Sequence, residues 1–134
     1  MIDVEKEIFT EVADAIQTEY PDCFVTGEYA PGAPSFPCVS LVEIDNASWE
    51  DTMTQEGTDV HAAVTYEVNV YSNKTAGKKA ECRQIASFVD NLLLGMNFTR
   101  IMLQPIPNVR DATIYRITGR YRALVDANLT LYRR

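Results

Sequence analysis

From residue 60 to residue 71 the chain alternates. Val60, Ala62, Val64, Tyr66, Val68 and Val70 fall on one parity, and His61, Thr65, Glu67, Asn69 and Tyr71 on the other. Successive side chains point to opposite sides only in an extended strand, so this segment requires a sheet with one face on a core. A second alternation starts at Thr113. Tyr115, Ile117, Tyr121, Ala123, Val125, Ala127, Leu129 and Leu131 share one face, and Arg116, Thr118, Arg120, Arg122, Asp126, Asn128 and Thr130 the other. One strand of that length exceeds the usual ~3–10 residues, so a bend near Gly119 or a break near Asp126 is expected.

Two segments carry the helical period instead. In 4–19, Val4, Ile8, Val12, Ala15 and Ile16 recur at steps of three and four, with Asp3 as the expected N-cap and Glu5 and Glu7 at the positive end of the dipole. Tyr20-Pro21 ends that helix, because the residue before proline avoids helical geometry. In 76–94, Ile85, Val89, Leu92 and Met96 form a stripe flanked by Cys82, Ala86 and Leu93, with Thr75 as expected cap and Gly95 as stop.

Shorter strands are expected at 23–26, 38–45 and 98–107, the last at an edge because Pro105 and Pro107 cannot donate to a ladder. Residues 27–37 hold three prolines and two glycines and read as a loop anchored by Tyr29 and Phe36. Residues 46–59 are polar, contain the sole tryptophan, and read as the long tip of a hairpin. The order is α-β-β-β-α-β-β, with no internal repeat or linker. The economical arrangement is α+β: a single mixed or antiparallel sheet of about five strands with both helices on one face. The 134 residues make one domain, 1–134, able to bury about two-thirds of its unfolded surface.

The net charge of −7 is unevenly distributed. Residues 1–67 sum to −14 and residues 68–134 to +7. Acidic and basic elements either neutralise one another within a subunit or give it two faces of opposite sign, which favours head-to-tail contact between copies.

Motifs for chemistry are sparse. Walker, dinucleotide-binding and zinc-protease signatures do not occur, and His61 sits on the polar face of a strand as a surface or interface residue. Three cysteines (Cys23, Cys38, Cys82) without C-x-x-C spacing read as packing residues. The acids Glu50, Asp51, Glu56 and Asp59 lack the glycine and spacing of an EF-hand and read as a solvated loop. Catalysis, a cofactor and a metal are not expected. The first residues lack a secretory layout and no apolar run approaches the ~20 residues of a membrane helix, so an intracellular protein with no membrane partner is expected.

The residues with a surface reading are therefore Trp49, Glu50, Asp51, Met53 and Glu56 on the hairpin tip, and the stripe Arg116, Arg120 and Arg122 on the last long strand. Tryptophan in a tip suits an anchor for a partner, and an arginine stripe suits either acidic surface or phosphates. An acidic chain is a poor monomeric nucleic-acid binder, so pairing of the stripe with the acidic half, in the same or a neighbouring subunit, is the simpler expectation. Reversing charge at Arg120 and Arg122 is then expected to weaken self-assembly more than folding.

Four stretches together resemble a known family: F-P-C-V-S-L-V-E at 36–43, Y-E-V-N-V-Y-S-N-K at 66–74, A-G-K-K-A-E-C-R-Q-I-A at 76–86 and Y-R-I-T-G-R-Y-R-A-L-V-D at 115–126. With the acidic first helix and the Pro-rich loop, the chain is similar to the small tail-completion proteins of tailed bacteriophages and related prophage or tailocin particles. The resemblance implies an α+β domain that assembles, typically as a hexameric ring, on the head-proximal end of the tail tube and joins it to the neck or connector. The implied partners are other copies, the tail tube protein and the neck protein. DNA would pass through the channel without specific binding, and arginines of the terminal strand facing the lumen would count against that picture. The implied location is the virion, after assembly in the host cytoplasm. Another neck, head-completion or tail-tube subunit shares these features. A small-ligand module would need a closed apolar pocket, and a DNA-binding regulator would need strong salt dependence.

Overall fold

The computed structural model describes residues 1–29, 35–55, 57, 59–107 and 111–133. Helix α1, Glu5–Glu19, buries Ile8, Val12, Ala13 and Ile16. Its cap is Val4, one residue later than the sequence suggests, without a side-chain cap bond. Asp3 still contributes, because its Oδ1 accepts the Glu5 amide at 3.3 Å. Strand β1, Phe24–Thr26, follows, then β2, Cys38–Ser48, and β3, His61–Ser72. Helix α2, Lys78–Gly95, leads to β4, Thr99–Pro105, then β5, Tyr115–Asp126, and the two-residue β6, Leu131–Tyr132.

The strands form one six-stranded sheet in the order β1-β2-β3-β5-β4, with β6 also on β5. It is mixed, because β1 runs parallel to β2 while the other pairs are antiparallel. Both helices pack on the same face. Ile8, Val12 and Ile16 of α1 and Cys82, Ile85, Val89 and Leu93 of α2 share one core with Ala62, Val64, Tyr66, Val68 and Val70 of β3 and Ile117, Tyr121, Ala123 and Val125 of β5. Each fully buried aliphatic or aromatic side chain there contributes about 1.5–3 kcal/mol. Tyr66 meets Phe98 edge to face, ring centroids 5.7 Å apart.

Several local expectations change. β2 continues through Asn46, Ala47 and Ser48, which pair with Val64, Ala63 and Ala62, so the hairpin tip is shorter than 46–59. Those side chains look like loop, but backbone pairing decides. Within the tip, Glu50–Thr52 forms one 3-10 turn. Val60 lies just outside β3 and is exposed rather than on the core face. Thr75 does not cap α2; Gly77 does, in a left-handed conformation at φ 91° that suits glycine. Gly95 is the last helical residue, and the left-handed position after it is Asn97, φ 73°. Phe98 precedes β4 and is wholly buried. β5 runs unbroken through Gly119 and stops at Asp126, one of the two break points expected. Asp126 Oδ1 accepts the amides of Asn128 and Thr130 at 2.9 and 3.0 Å, which turns the chain back into β6. Tyr29 is exposed rather than an anchor, and part of the 27–37 loop lies outside the described residues.

Candidate functional site

The sheet's second face, away from the helices, is where the alternation places polar side chains, and β3 and β5 lie side by side there. The register sets Tyr71 beside Arg116, Asn69 beside Thr118, Glu67 beside Arg120 and Thr65 beside Arg122. Asn69 Oδ1 accepts three donors: Arg116 Nε at 2.9 Å, Arg116 Nη2 at 2.7 Å and Thr118 Oγ1 at 2.7 Å. Asn69 Nδ2 in turn donates to Glu67 Oε1 at 3.1 Å, and Arg120 Nε donates to Glu67 Oε2 at 3.2 Å. The Arg116 guanidinium also lies over the Tyr71 ring, 5.6 Å from its centroid. Burial pushes the Tyr71 hydroxyl above its ordinary pKa, with Arg116 opposing the shift.

Asn69, Glu67 and Thr118 are all buried. Arg116 and Arg120 therefore spend hydrogen-bond donors inside the chain. Arg122 is different: its Nε is buried and has no hydrogen-bond partner among the described residues. Sequence reasoning found the three arginines but missed the buried Glu67–Asn69–Thr118 network beneath them. The signal was present, since Glu67 and Asn69 share a parity on the clearest strand. Their partners became visible only once β3 was known to neighbour β5.

The hairpin tip gathers Trp49, Glu50, Asp51 and Met53. Trp49 is half-buried, while Glu50, Asp51 and Met53 are exposed. The Trp49 amide donates to the His61 carbonyl at 3.0 Å, closing the hairpin, and the Met53 amide donates to Glu50 O at 3.2 Å. Thr52 Oγ1 donates to Trp49 O at 3.3 Å and lies 3.1 Å from His61 Nδ1. His61 also meets Tyr132 edge to face, so it joins the tip to the C-terminal strand. Glu56 lies outside the described residues.

The acidic half concentrates where α1 begins. Glu43 is pushed above the usual carboxylate range, first by burial, then by Asp3, Glu5 and Asp45, while the Tyr66 hydroxyl, donating at 3.0 Å, opposes the shift. The groove between α2 and β4, about 270 Å³, is lined by Arg83, Ser87, Asp90, Arg100 and Gln104 among others. Asp90 is committed there: Arg100 Nη1 donates to its Oδ2 at 2.8 Å and the Tyr121 hydroxyl to its Oδ1 at 2.7 Å. Among the described residues, no three His, Cys, Asp or Glu side chains are grouped to hold a metal, and no helix is long and apolar enough to cross a membrane. What the geometry offers is surface for contact: a charged sheet face, a structured tip and two sheet edges.

Residues 9–126 match the family model described as tail completion protein gp17. The chain belongs to this family. The match takes in the tip, both edges and the arginine stripe, and it makes the protein a structural component of a phage tail, and so of the virion. No curated protein matches the chain.

Proposed function

We propose that copies of this chain form a ring, six by the habit of such proteins, that caps the head-proximal end of the tail tube and joins it to the neck or connector. The observation that carries this reading is the tail-completion match across 9–126. The opposed charge of the two halves, −14 and +7, supports head-to-tail contact. In this reading Trp49, Glu50, Asp51, Met53 and Glu56 reach the tube or neck protein, as a half-buried tryptophan flanked by exposed acids suits an anchored contact. Arg122, with the exposed ends of Arg116 and Arg120, faces acidic surface of a neighbouring subunit. DNA passes through the channel without being gripped, which the acidic net charge favours.

The test is the mass of the purified protein by light scattering at low and high salt, alone and with tail tubes. A ring-sized species, or a monomer that becomes one on tubes, is expected. Long polymers would assign the chain to the tube itself. A monomer indifferent to salt and tubes would overturn the assembly reading.

A further inference from the structure

The sheet has two free edges of opposite character. At one end β4 is outermost, paired only with β5 among the described residues. At the other end β1 covers only Cys38, Val39 and Ser40 of β2, so residues 41–48 have no ladder partner on their outer side among the described residues. Unpaired edges present rows of amide and carbonyl groups that accept a further strand. Both edges also carry exposed apolar side chains: Ile101, 48% exposed, and Leu103, 39%, on β4, and Ile44, 38%, on β2. Ile44 and Ile101 each sit at an irregularity of register, between Glu43 and Asp45 on β2 and between Arg100 and Met102 on β4.

Charge distinguishes the edges on both faces of the sheet. On the helix side, the β4 edge has Arg100 and Arg83 near the groove with α2, and the β2 edge has Glu43 with Asp3 and Glu5 around it. On the open side, Arg120 and Arg122 lie one strand in from β4, beside Met102 and Thr99, while Asp45 stands in the register row of Thr65 and Arg122. Strand direction fits as well. β2, β3, β5 and β4 alternate in direction, so a second copy continuing the sheet in the same orientation brings its β2 antiparallel to β4.

We infer that β4 of one copy adds to the outer edge of β2, residues 41–48, of the next copy, giving a sheet that is continuous across the subunit boundary. This rests on the ring reading above and names the surface that makes the ring. The contact is heterologous, so each copy keeps one edge of each kind to offer until the assembly closes. Asp45 of the receiving β2 then comes within reach of Arg122 and Arg120 of the copy that supplies β4, and Glu43 within reach of its Arg100.

The experiment is oxidative cross-linking of the full chain carrying Ile44→Cys and Ile101→Cys, with light scattering of single variants beside it. The three native cysteines are buried, so they do not compete. A covalent ladder ending at the ring mass is expected. Ile101→Glu places like charge against Asp45 and Glu43 and is expected to raise the concentration for half-assembly by about tenfold or more, Ile101→Lys by less, and Asp45→Lys with Ile101→Glu is expected to restore assembly. An unchanged urea midpoint for Ile101→Glu shows that the fold is intact. If rings form but neither cross-link nor respond to these changes, the edge contact is wrong and the ring reading stands. If the wild type stays monomeric at every concentration and on tail tubes, both fall.

Discussion

Arg120 and Glu67 face each other across β5 and β3, Nε to Oε2 at 3.2 Å, with the Glu67 side chain 7% exposed and the Arg120 side chain 49% exposed. The pair is thus lopsided: the acid depends on the base far more than the base on the acid. Arg120→Ala leaves Glu67 buried with the Asn69 amide as its remaining donor among the described residues and is expected to cost about 1–2 kcal/mol of stability. Adding Glu67→Gln to Arg120→Ala is expected to recover part of the loss, because a neutral amide is easier to desolvate. Urea unfolding of the two variants measures the difference.

Arg122 separates assembly from folding better than Arg120 does. Its neighbour in the register is Thr65, not an acid, and its Nε has no partner to lose among the described residues. Arg122→Glu is expected to leave the urea midpoint close to wild type while reducing assembled mass in light scattering. Arg120→Glu, which sets a second carboxylate against Glu67, is expected to lower both. Equal loss of stability in the two variants would count against this division.

Gly119 is where β5 has no room for a side chain. A Cβ there would lie 3.0 Å from Leu103 Cδ1 and 3.0 Å from Tyr121 Cε2. Leu103 is on the edge strand and can yield, but Tyr121 is held by its hydrogen bond to Asp90. Gly119→Ala is expected to destabilise by about 1–2 kcal/mol, and Gly119→Val by more, in urea unfolding. A neutral Gly119→Ala would mean that Leu103 alone takes up the strain.

The parts of the fold legible in the sequence are those fixed by local patterning. Alternation from Ala62 to Val70 and from Ile117 to Val125 specified two central strands and their inner faces. Of the expected α2 stripe, Ile85 and Val89 are buried, whereas Leu92 and Met96 are only half-buried and the flanking Cys82, Ala86 and Leu93 complete the inner face. Boundaries were less legible, because Gly77 and Asn97 set them through backbone angles that more than one nearby residue could have adopted. The extension of β2 through Ser48 was hidden because its side chains are polar or small and its reason is pairing with Ala62–Val64. The candidate site was half legible. The arginines declared themselves, but that Glu67 and Asn69 are buried follows from a β3–β5 pairing linking residues about fifty apart in sequence, which no local pattern encodes. Of the tip, the tryptophan and its acids were visible, whereas the 3-10 turn and the His61 contact that organise it were not.

The tip's independence from the core is testable. The 3-10 turn Glu50–Thr52 has no buried residue, and the Trp49 amide bond to His61 lies at the base of the hairpin. Replacing 51–57 by a short Gly-Asn turn is therefore expected to change the urea midpoint little, within about 1 kcal/mol, while abolishing co-sedimentation with tail tubes. Loss of cooperative unfolding would instead make the tip part of the core, and retained co-sedimentation would remove Asp51, Met53 and Glu56 from the contact.

Alkaline pH probes the core directly. Burial pushes the thiols of Cys23 and Cys82 up to about 12 and that of Cys38 to about 11, from 9.0. Burial likewise raises Tyr66 and Tyr121, each further held neutral by donating to a carboxylate, Glu43 and Asp90. All five groups are protonated in the native core, so their contribution is fully present below the unfolded-state values and pH is without effect through them there. As pH climbs through 9.0 the unfolded chain releases thiol protons that the fold retains, and through 10.0 the phenolic protons follow. Proton release favours the unfolded state, so stability falls with rising pH until the folded-state values are passed. The urea midpoint is expected to be flat near pH 7–8, to begin falling near pH 9.0 and to fall most steeply above pH 10.0, toward the folded-state thiol values of about 11 and 12. The single proton of the Cys82 thiol lies between two acceptors, the carbonyls of Val70 and Tyr115, at 3.1 and 3.3 Å from Sγ. Cys82→Ser keeps a donor but removes the titration, so it is expected to shallow that drop by up to about 1.4 kcal/mol per pH unit. A variant with lower stability at pH 7 but an unchanged alkaline slope would show that Cys82 matters for packing alone and that Cys23, Cys38 and the tyrosines carry the pH dependence.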